Sequence, residues 1–190
     1  MNLSAISATE MILGIVVAAV VVTAGVGIWL FVRKRRTERL RTQFGGAEYT
    51  RAVNEGGSRR QAEAVLDDRA ERVESLHIRP LAAGDRMRFV ESWGRVQARF
   101  VDGPGGAVTD ADQLLGDVMS TRGYPVSDFE QRAADISVDH PQVLANYRAA
   151  HQSALRQTQG LASTEDLRQA MIHYRTLFEE LIAEPEATRA

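Results

Sequence analysis

Residues 11–32 read MILGIVVAAVVVTAGVGIWLFV, a stretch of 22 residues without a charged side chain. As an α-helix with a rise of about 1.5 Å per residue, it is about 33 Å long and matches a hydrocarbon core of about 30 Å. A helix that is apolar on every side over this length is rare outside lipid, where every backbone polar group must bond internally. The stretch therefore predicts one transmembrane helix, around which the rest of the chain is arranged.

The main alternative for this stretch is a cleaved secretory signal. Such a signal has a basic start, a shorter apolar run of about 7–15 residues and a small-residue cleavage site. Here no Lys or Arg precedes Arg33, and the residues behind the apolar run are basic. We therefore expect the helix to be retained as an anchor.

A basic collar follows the apolar stretch. Residues 33–42 carry a net charge of +5, whereas residues 1–32 carry −1 and residues 43–190 carry −6. Because Lys and Arg beside a span tend to stay in the cytoplasm, this asymmetry predicts an external N-terminal tail (residues 1–10) and a cytoplasmic C-terminal part. Setting this topology is a sufficient role for the collar. Its basic residues can also contact anionic lipid headgroups, each for about 1 kcal/mol; they are Arg33, Lys34, Arg35, Arg36, Arg39 and Arg41.

Several classes of function are disfavoured by composition. The chain contains no Cys, which excludes disulfides, thiolate nucleophiles and Cys-based metal centres. The acidic C-terminal part argues against nucleic-acid binding, which needs cations to neutralise phosphates. The glycine-rich segment 102–106 lacks the Lys-Ser/Thr pair of a phosphate-binding loop, and no His-x-x-x-His pattern suggests a metal. We predict no cofactor and no metal site, and we leave enzymatic activity open.

Helical periodicity dominates the chain behind the collar. Apolar residues recur every three or four positions, and no segment alternates as a half-buried strand would. A helix continues from the span through residues 37–44, Gly45-Gly46 interrupts it, and a short helix over 47–55 ends at Gly56-Gly57. We predict an all-α protein with one N-terminal transmembrane helix (residues 11–32), a basic neck that can bend (33–57), a soluble bundle of about five or six helices (58–183) and a disordered tail (184–190).

Local signals predict individual helix boundaries. Capping boxes are expected at residues 58–61 and 127–130, and a left-handed glycine cap at Gly123. Thr109 is the predicted N-cap of one helix, and Asp139 or Ser137 that of the helix beginning at Pro141. The aromatic-rich segment 85–101 is the predicted core helix. In the helix over residues 58–76, Ala62, Leu66, Val73 and Leu76 form an apolar seam, and Glu63 lies on a charged face.

The densest polar segment, residues 122–141, is the best candidate for a functional surface. An acid–base pair such as Asp135 with His140 is conceivable there, although helix capping and ion pairing explain the same residues. His151 shares a face with Leu144, where a hydrogen-bonded core position is its ordinary role. The predicted partner-binding residues are Arg122, Tyr124, Asp128, Glu130, Arg132, Asp135, Asp139, His140, Tyr147 and His151.

Four motifs resemble those of an uncharacterised family of small bacterial proteins with an N-terminal membrane anchor. They are RGYPV (122–126), DFEQRAAD (128–135), SVDHP (137–141) and STEDLRQAM (163–171), and the likeness extends over residues 37–182. The resemblance implies a bacterial origin and a shared fold, but no activity, cofactor or substrate.

Three hypotheses follow from the sequence. The first is a non-enzymatic, single-pass protein of the plasma membrane whose cytoplasmic helical domain binds a protein partner. The second is a membrane-tethered enzyme or small-ligand binder that uses Asp135, Asp139, His140 and His151. The third is a homo-oligomer, held together by small residues in the span, such as Gly14 and Ala18, and by the seam of residues 62–76.

Overall fold

The computed structural model describes residues 8–125 and 127–183, so most of the predicted N-terminal tail and the whole predicted C-terminal tail lie outside the described residues. Both described ranges contain helices and no strand, and the prediction of an all-α protein is confirmed. One long apolar helix is followed by six more, within the predicted number. The helices are α1 (Ala8–Gly56), α2 (Arg59–Glu74), α3 (Ala83–Arg99), α4 (Pro104–Arg122), α5 (Phe129–Asp139), α6 (Pro141–Thr158) and α7 (Thr164–Ile182).

Helix α1 carries the apolar stretch directly into the folded part of the protein. It is the one described helix that is long and apolar enough to cross a membrane, and its side chains from Val16 to Val32 are exposed. The first buried side chains, Thr37 and Leu40, follow within two turns of Val32 on the same helix. A membrane anchor or a signal sequence both fit this finding, and no break separates the apolar part from the domain.

Gly45 folds α1 back on itself. Its backbone angles, φ 71° and ψ 156°, lie outside the helical region and are open to glycine because it has no Cβ. The hydroxyls of Thr37 and Tyr49 both donate to Oε1 of Glu63, at 2.6 and 2.9 Å. A straight helix would hold residues 37 and 49 about 18 Å apart. We call residues 8–44 the long limb of α1 and residues 46–56 the short limb.

The two limbs and α2 enclose a small core of their own. The seam predicted on α2 is confirmed, because Ala62, Leu66 and Val73 are buried and Leu76 is half-buried. The residues predicted as a neck take part in this packing. The buried apolar side chains are Leu40, Phe44, Tyr49, Ala52, Ala62 and Leu66.

Helices α3 to α7 form a second and larger core. Helices α4, α6 and α7 pack against one another at its centre. The prediction of residues 85–101 as the core helix is wrong, because α3 packs mainly on α4 at the edge of the bundle. Trp93 is buried and stacks on Phe178 of α7 with ring centroids 4.8 Å apart, whereas Val90 and Val101 are exposed.

Local caps set several helix ends, and the left-handed cap predicted at Gly123 is confirmed. Gly123 ends α4 in a left-handed conformation with φ 106°. Ser163 and Asp166 form a reciprocal capping box at the start of α7. At α2 only half of the predicted box forms, with the Ser58 hydroxyl accepting from the amide of Gln61 at 3.2 Å.

Three predicted caps are wrong. Thr109 lies inside α4, where its hydroxyl donates to the Gly105 carbonyl at 3.2 Å, because the helix already begins at Pro104, with its N-cap six residues before the predicted one. Asp128, not Ser127, caps α5, since its carboxylate is the group that accepts from the amide at position 131. Asp139 is the last residue of α5, and His140 occupies the N-cap position of α6 without a side-chain cap.

Two buried carboxylates join the two cores. Glu48 on the short limb accepts from Arg69 of α2 at 2.8 Å and from Arg148 of α6 at 3.4 Å. Asp135 of α5 pairs with Arg72 of α2 at 3.3 Å. Both carboxylates are under 9% exposed, and the arginines that pair with them connect α1 and α2 to the bundle.

Candidate functional site

The ten predicted partner-binding residues divide into three groups by exposure. Arg122, Tyr124, Asp135 and Tyr147 are buried. Arg132, His140 and His151 are half-buried, and only Asp128, Glu130 and Asp139 are exposed. The segment is therefore partly a structural junction and partly a surface.

Arg122 and Tyr124 hold the end of α4 to its neighbours. The Arg122 guanidinium donates to the carbonyl of Leu181 at 3.0 Å and so binds the C-terminal end of α7. The Tyr124 hydroxyl donates to the Asp139 carboxylate at 3.3 Å. Burial raises the pKa of Tyr124, and the negative charge of Asp139 acts in the same direction. These contacts describe helix packing, with neither side chain available to a partner protein.

Asp135 lies at the contact between α5 and α2. Burial raises its pKa, while the hydrogen bond from Gln131 at 2.8 Å and the charge of Arg72 oppose that shift. A carboxylate with two donors in such a place is typical of a structural ion pair. Its role is to attach α2 to the bundle.

A polar cluster missed by the sequence surrounds Asp112 between α4, α5 and α7. Its carboxylate accepts from the Tyr174 hydroxyl at 3.1 Å and from Arg132 at 3.4 Å. Gly116 makes room for the guanidinium, since a Cβ there would lie 3.0 Å from Arg132 Nη1. Burial raises the pKa of Tyr174 and of Tyr147. The Tyr147 hydroxyl has no hydrogen-bond partner among residues 8–125 and 127–183. The sequence signal for Asp112 is its place three residues before Leu115 and seven before Met119, on the apolar face of the same helix.

His151 lies beside this cluster and is not the hydrogen-bonded core residue that was expected. Its ring stacks on Phe129 with centroids 3.6 Å apart and an interplanar angle of 5°, and its Nδ1 has no hydrogen-bond partner. Burial lowers its pKa, against the charge of Asp112. The ring therefore serves mainly as a flat packing surface.

The four residues of the enzyme hypothesis have separate partners. Asp135 bonds to Gln131 and Arg72, Asp139 accepts from Tyr124, His140 Nδ1 lies 3.0 Å from Glu180, and His151 stacks on Phe129. Across residues 8–125 and 127–183 no group of three or more His, Asp or Glu side chains could hold a metal ion. Acid–base chemistry needs its groups within reach of one substrate, and the contacts of these four side chains are each made with a different neighbour in the fold.

The exposed part of the predicted segment faces a groove between α2 and α5. The groove has a volume of about 430 Å³. Its two guanidinium groups, Arg69 and Arg72, are already paired with the buried carboxylates Glu48 and Asp135. Its other charged side chains are acidic, and Val65 gives it an exposed apolar contact. The lining residues are Val65, Asp68, Arg69, Arg72, Asp128, Glu130, Gln131 and Ala134.

The six predicted headgroup-binding residues of the collar are all exposed. The Arg33 guanidinium lies over the Trp29 ring at 5.2 Å, and that of Arg35 lies over Phe31 at 4.6 Å. In these contacts the cationic groups lie beside aromatic rings at the end of the apolar stretch. Aromatic side chains flanked by Arg are typical of a helix end at a membrane interface. Arg36 forms an ion pair with Asp67 of α2.

Glu63 and Glu48 are buried carboxylates that connect neighbouring helices, and the sequence did not identify either of them. Glu63 was placed on a charged, solvated face, but it is 6% exposed. A signal was present, since Glu63 shares a helix face with Leu66 and Val73, three and ten residues further along.

Comparisons with models of known protein families, with curated proteins and with solved structures found no match. Function is therefore inferred from this chain's own residues.

Proposed function

We propose that the protein is a single-pass protein of the bacterial plasma membrane whose helical domain binds a protein partner on the cytoplasmic side. The observation that carries this proposal is the continuity of α1, which runs from exposed apolar side chains to the buried Leu40 without a linker. A domain joined in this way is held at the bilayer surface in a defined orientation. A fixed height and direction suit an adaptor that presents one surface to a second protein.

The positive charge of residues 33–42 supports a cytoplasmic domain. Because the chain lacks Cys, a single Cys introduced at the exposed Thr109 can report its side of the membrane. We expect a membrane-impermeant maleimide to label this variant only after the plasma membrane is opened. Labelling in intact cells would refute the orientation, and release of the protein by carbonate would refute the anchor.

The α2–α5 groove is the proposed docking surface. Its arginines are neutralised from within the protein, so Asp68 and Asp128 leave a negative surplus beside the exposed Val65. We infer a partner segment that offers basic side chains around one apolar anchor. Charge complementarity of this kind guides association and selects among partners.

A photo-crosslinking amino acid in place of Val65 tests this surface. The matched control carries the same amino acid in place of Val90, an exposed valine on α3. We expect a discrete crosslinked product from the Val65 position alone, and we expect Asp68→Asn with Asp128→Ser to weaken it. Ser keeps the helix-capping function at position 128 while removing the charge. Equal products from both valine positions, or a product insensitive to the two substitutions, would refute the docking surface.

A further inference from the structure

The fold-back at Gly45 returns the chain to the level of the span. Eleven residues of the short limb retrace about 16 Å, which brings the turn into α2 back beside the collar. Arg60 in the first turn of α2 consequently lines the same groove as Trp29 and Val32 from the last turn of the apolar stretch. In the sequence these residues are about thirty positions apart, and the return path is set by tertiary structure alone.

This membrane-proximal groove has a volume of about 430 Å³ and is lined by Trp29, Val32, Arg33, Arg36, Arg60 and Glu63. One side is apolar and aromatic and belongs to the span, whereas the other side is cationic and comes from two helices. Glu63 and Arg36 do not determine its net charge, because each is already paired, Glu63 with Arg59 at 3.3 Å and Arg36 with Asp67.

Among residues 8–125 and 127–183, two guanidinium groups of the groove have no carboxylate partner. The first, Arg33, lies over the Trp29 ring at 5.2 Å. The Arg60 side chain is exposed, and it forms no hydrogen bond or ion pair within the part of the chain that the structure describes. Guanidinium groups bind phosphate through paired N–H donors, and an apolar floor beside them suits an acyl chain.

We propose that this groove binds the phosphate of one anionic membrane lipid, with Arg33 and Arg60 as its ligands and Trp29 and Val32 against the lipid's acyl region. The inference rests on the proposed membrane insertion of α1. The collar as a whole attracts anionic lipid, and the proposal adds one specific ligand from α2, Arg60. Binding at this place would hold the α1–α2 turn down on the bilayer and so set the tilt of the whole domain.

The full-length protein in nanodiscs of phosphatidylcholine with phosphatidylglycerol as the minor lipid tests the proposal. After extraction into mild detergent, native mass spectrometry counts the phosphatidylglycerol molecules that stay bound. Because Arg60 is exposed and unpaired, Arg60→Gln should leave folding intact. We expect it to lower retention about fivefold, as for one charge removed near a membrane surface, and Arg33→Gln with Arg60→Gln to lower it about twenty-five-fold. Arg79→Gln, an equal change at an exposed position beyond the far end of α2, is the matched control and should have no effect.

Equal retention by the wild type, Arg60→Gln and Arg79→Gln would overturn the proposal. A second arm supplies inorganic phosphate in place of phosphatidylglycerol; phosphate bound at Arg60 as tightly as the lipid would show a site for free phosphate, to which the acyl region adds nothing, and would also overturn the proposal. Release of the wild-type protein from membranes by carbonate would refute the membrane anchor itself. An inserted protein that shows no preference for the anionic lipid would refute only the lipid site, so the two failures can be told apart.

Discussion

Glu63 is the single side chain on which the packing of α1 against α2 depends most. Its carboxylate accepts from Thr37 on the long limb at 2.6 Å and from Tyr49 on the short limb at 2.9 Å, and it pairs with Arg59 at 3.3 Å. Replacing Glu63 with Ala removes the acceptor shared by the two limbs. We expect the fold-back at Gly45 to loosen, because Glu63 is the acceptor that bonds to a hydroxyl on each limb.

The magnitude follows from these contacts. A hydrogen bond to a charged group contributes about 1.5–3 kcal/mol, so the two hydroxyl bonds set an upper bound of about 6 kcal/mol. Thr37 keeps a bond to the Arg33 carbonyl at 3.2 Å, and Tyr49 still accepts from Arg59 at 2.9 Å. The net loss for Glu63→Ala is then about 3 kcal/mol, or about 6–12 °C in Tm for a chain of this length.

Acid should diminish the contribution of Glu63. Burial acts to raise its pKa, but the hydrogen bonds from Thr37 and Tyr49 and the charge of Arg59 outweigh it and hold the pKa below its usual range. The stabilisation is therefore present above about pH 4.3, the value of an unperturbed glutamate, and is lost as the pH falls through the lower folded-state value. Glu63→Gln should lose less stability on acidification than the wild type.

The assay is thermal unfolding of the full-length protein in detergent micelles, followed by circular dichroism, with hydrogen exchange of residues 37–66 as a local probe. The control is Glu74→Ala, because Glu74 is an exposed residue of the same helix. This substitution should change the free energy of unfolding by less than about 0.5 kcal/mol, with a correspondingly small change in Tm. If Glu63→Ala and Glu74→Ala unfold together and exchange alike, the role assigned to the buried carboxylate is wrong.

Three further perturbations have defined outcomes in the same unfolding assay. Gly123→Ala forces a side chain into a positive φ of 106° and places a Cβ 2.5 Å from the His77 carbonyl oxygen. It should therefore lower the free energy of unfolding by more than Gly160→Ala, for which we expect about 1 kcal/mol because φ is 71° and nothing lies within 4 Å of the added Cβ. Equal losses for the two variants would contradict this. Burial lowers the pKa of His151, so below about pH 6.5 the unfolded chain takes up a proton more readily than the folded protein, and the wild type should lose stability. His151→Gln should make stability less dependent on pH in this range, whereas His77→Gln, at an exposed position, should not. Trp93→Ala removes a buried ring that stacks on an aromatic of α7 at 4.8 Å and should cost about 3–5 kcal/mol, and a loss below 1 kcal/mol would show that α3 is not held by this contact.

Most of the helical architecture could be predicted because its signals are local. The apolar run, the three-to-four-residue periodicity and Gly123 as a left-handed cap each act within one or two turns of helix. The errors at Thr109 and Ser127 are also local, since a proline and an Asp compete with the predicted caps at neighbouring positions. The sequence pattern alone does not show which of several nearby residues begins or caps a helix.

The candidate sites were less predictable, because their residues come from separate helices. Arg122 and Asp135 looked like members of a polar surface, but the partners that bury them, Leu181 and Arg72, lie far away in the chain. Asp112 drew no attention in the sequence and lies at the centre of a half-buried polar cluster.

By itself, the sequence determined that this protein is all-α, that one helix is long and apolar enough to cross a bilayer, and that a basic collar follows it. Only the tertiary structure decided that Arg60 returns to that collar and that Glu63 is buried between two limbs of one helix. The physical reason is that amphipathic period and helix capping depend on neighbours in the chain. Burial and charge pairing depend instead on where Gly45 sends the helices that follow it.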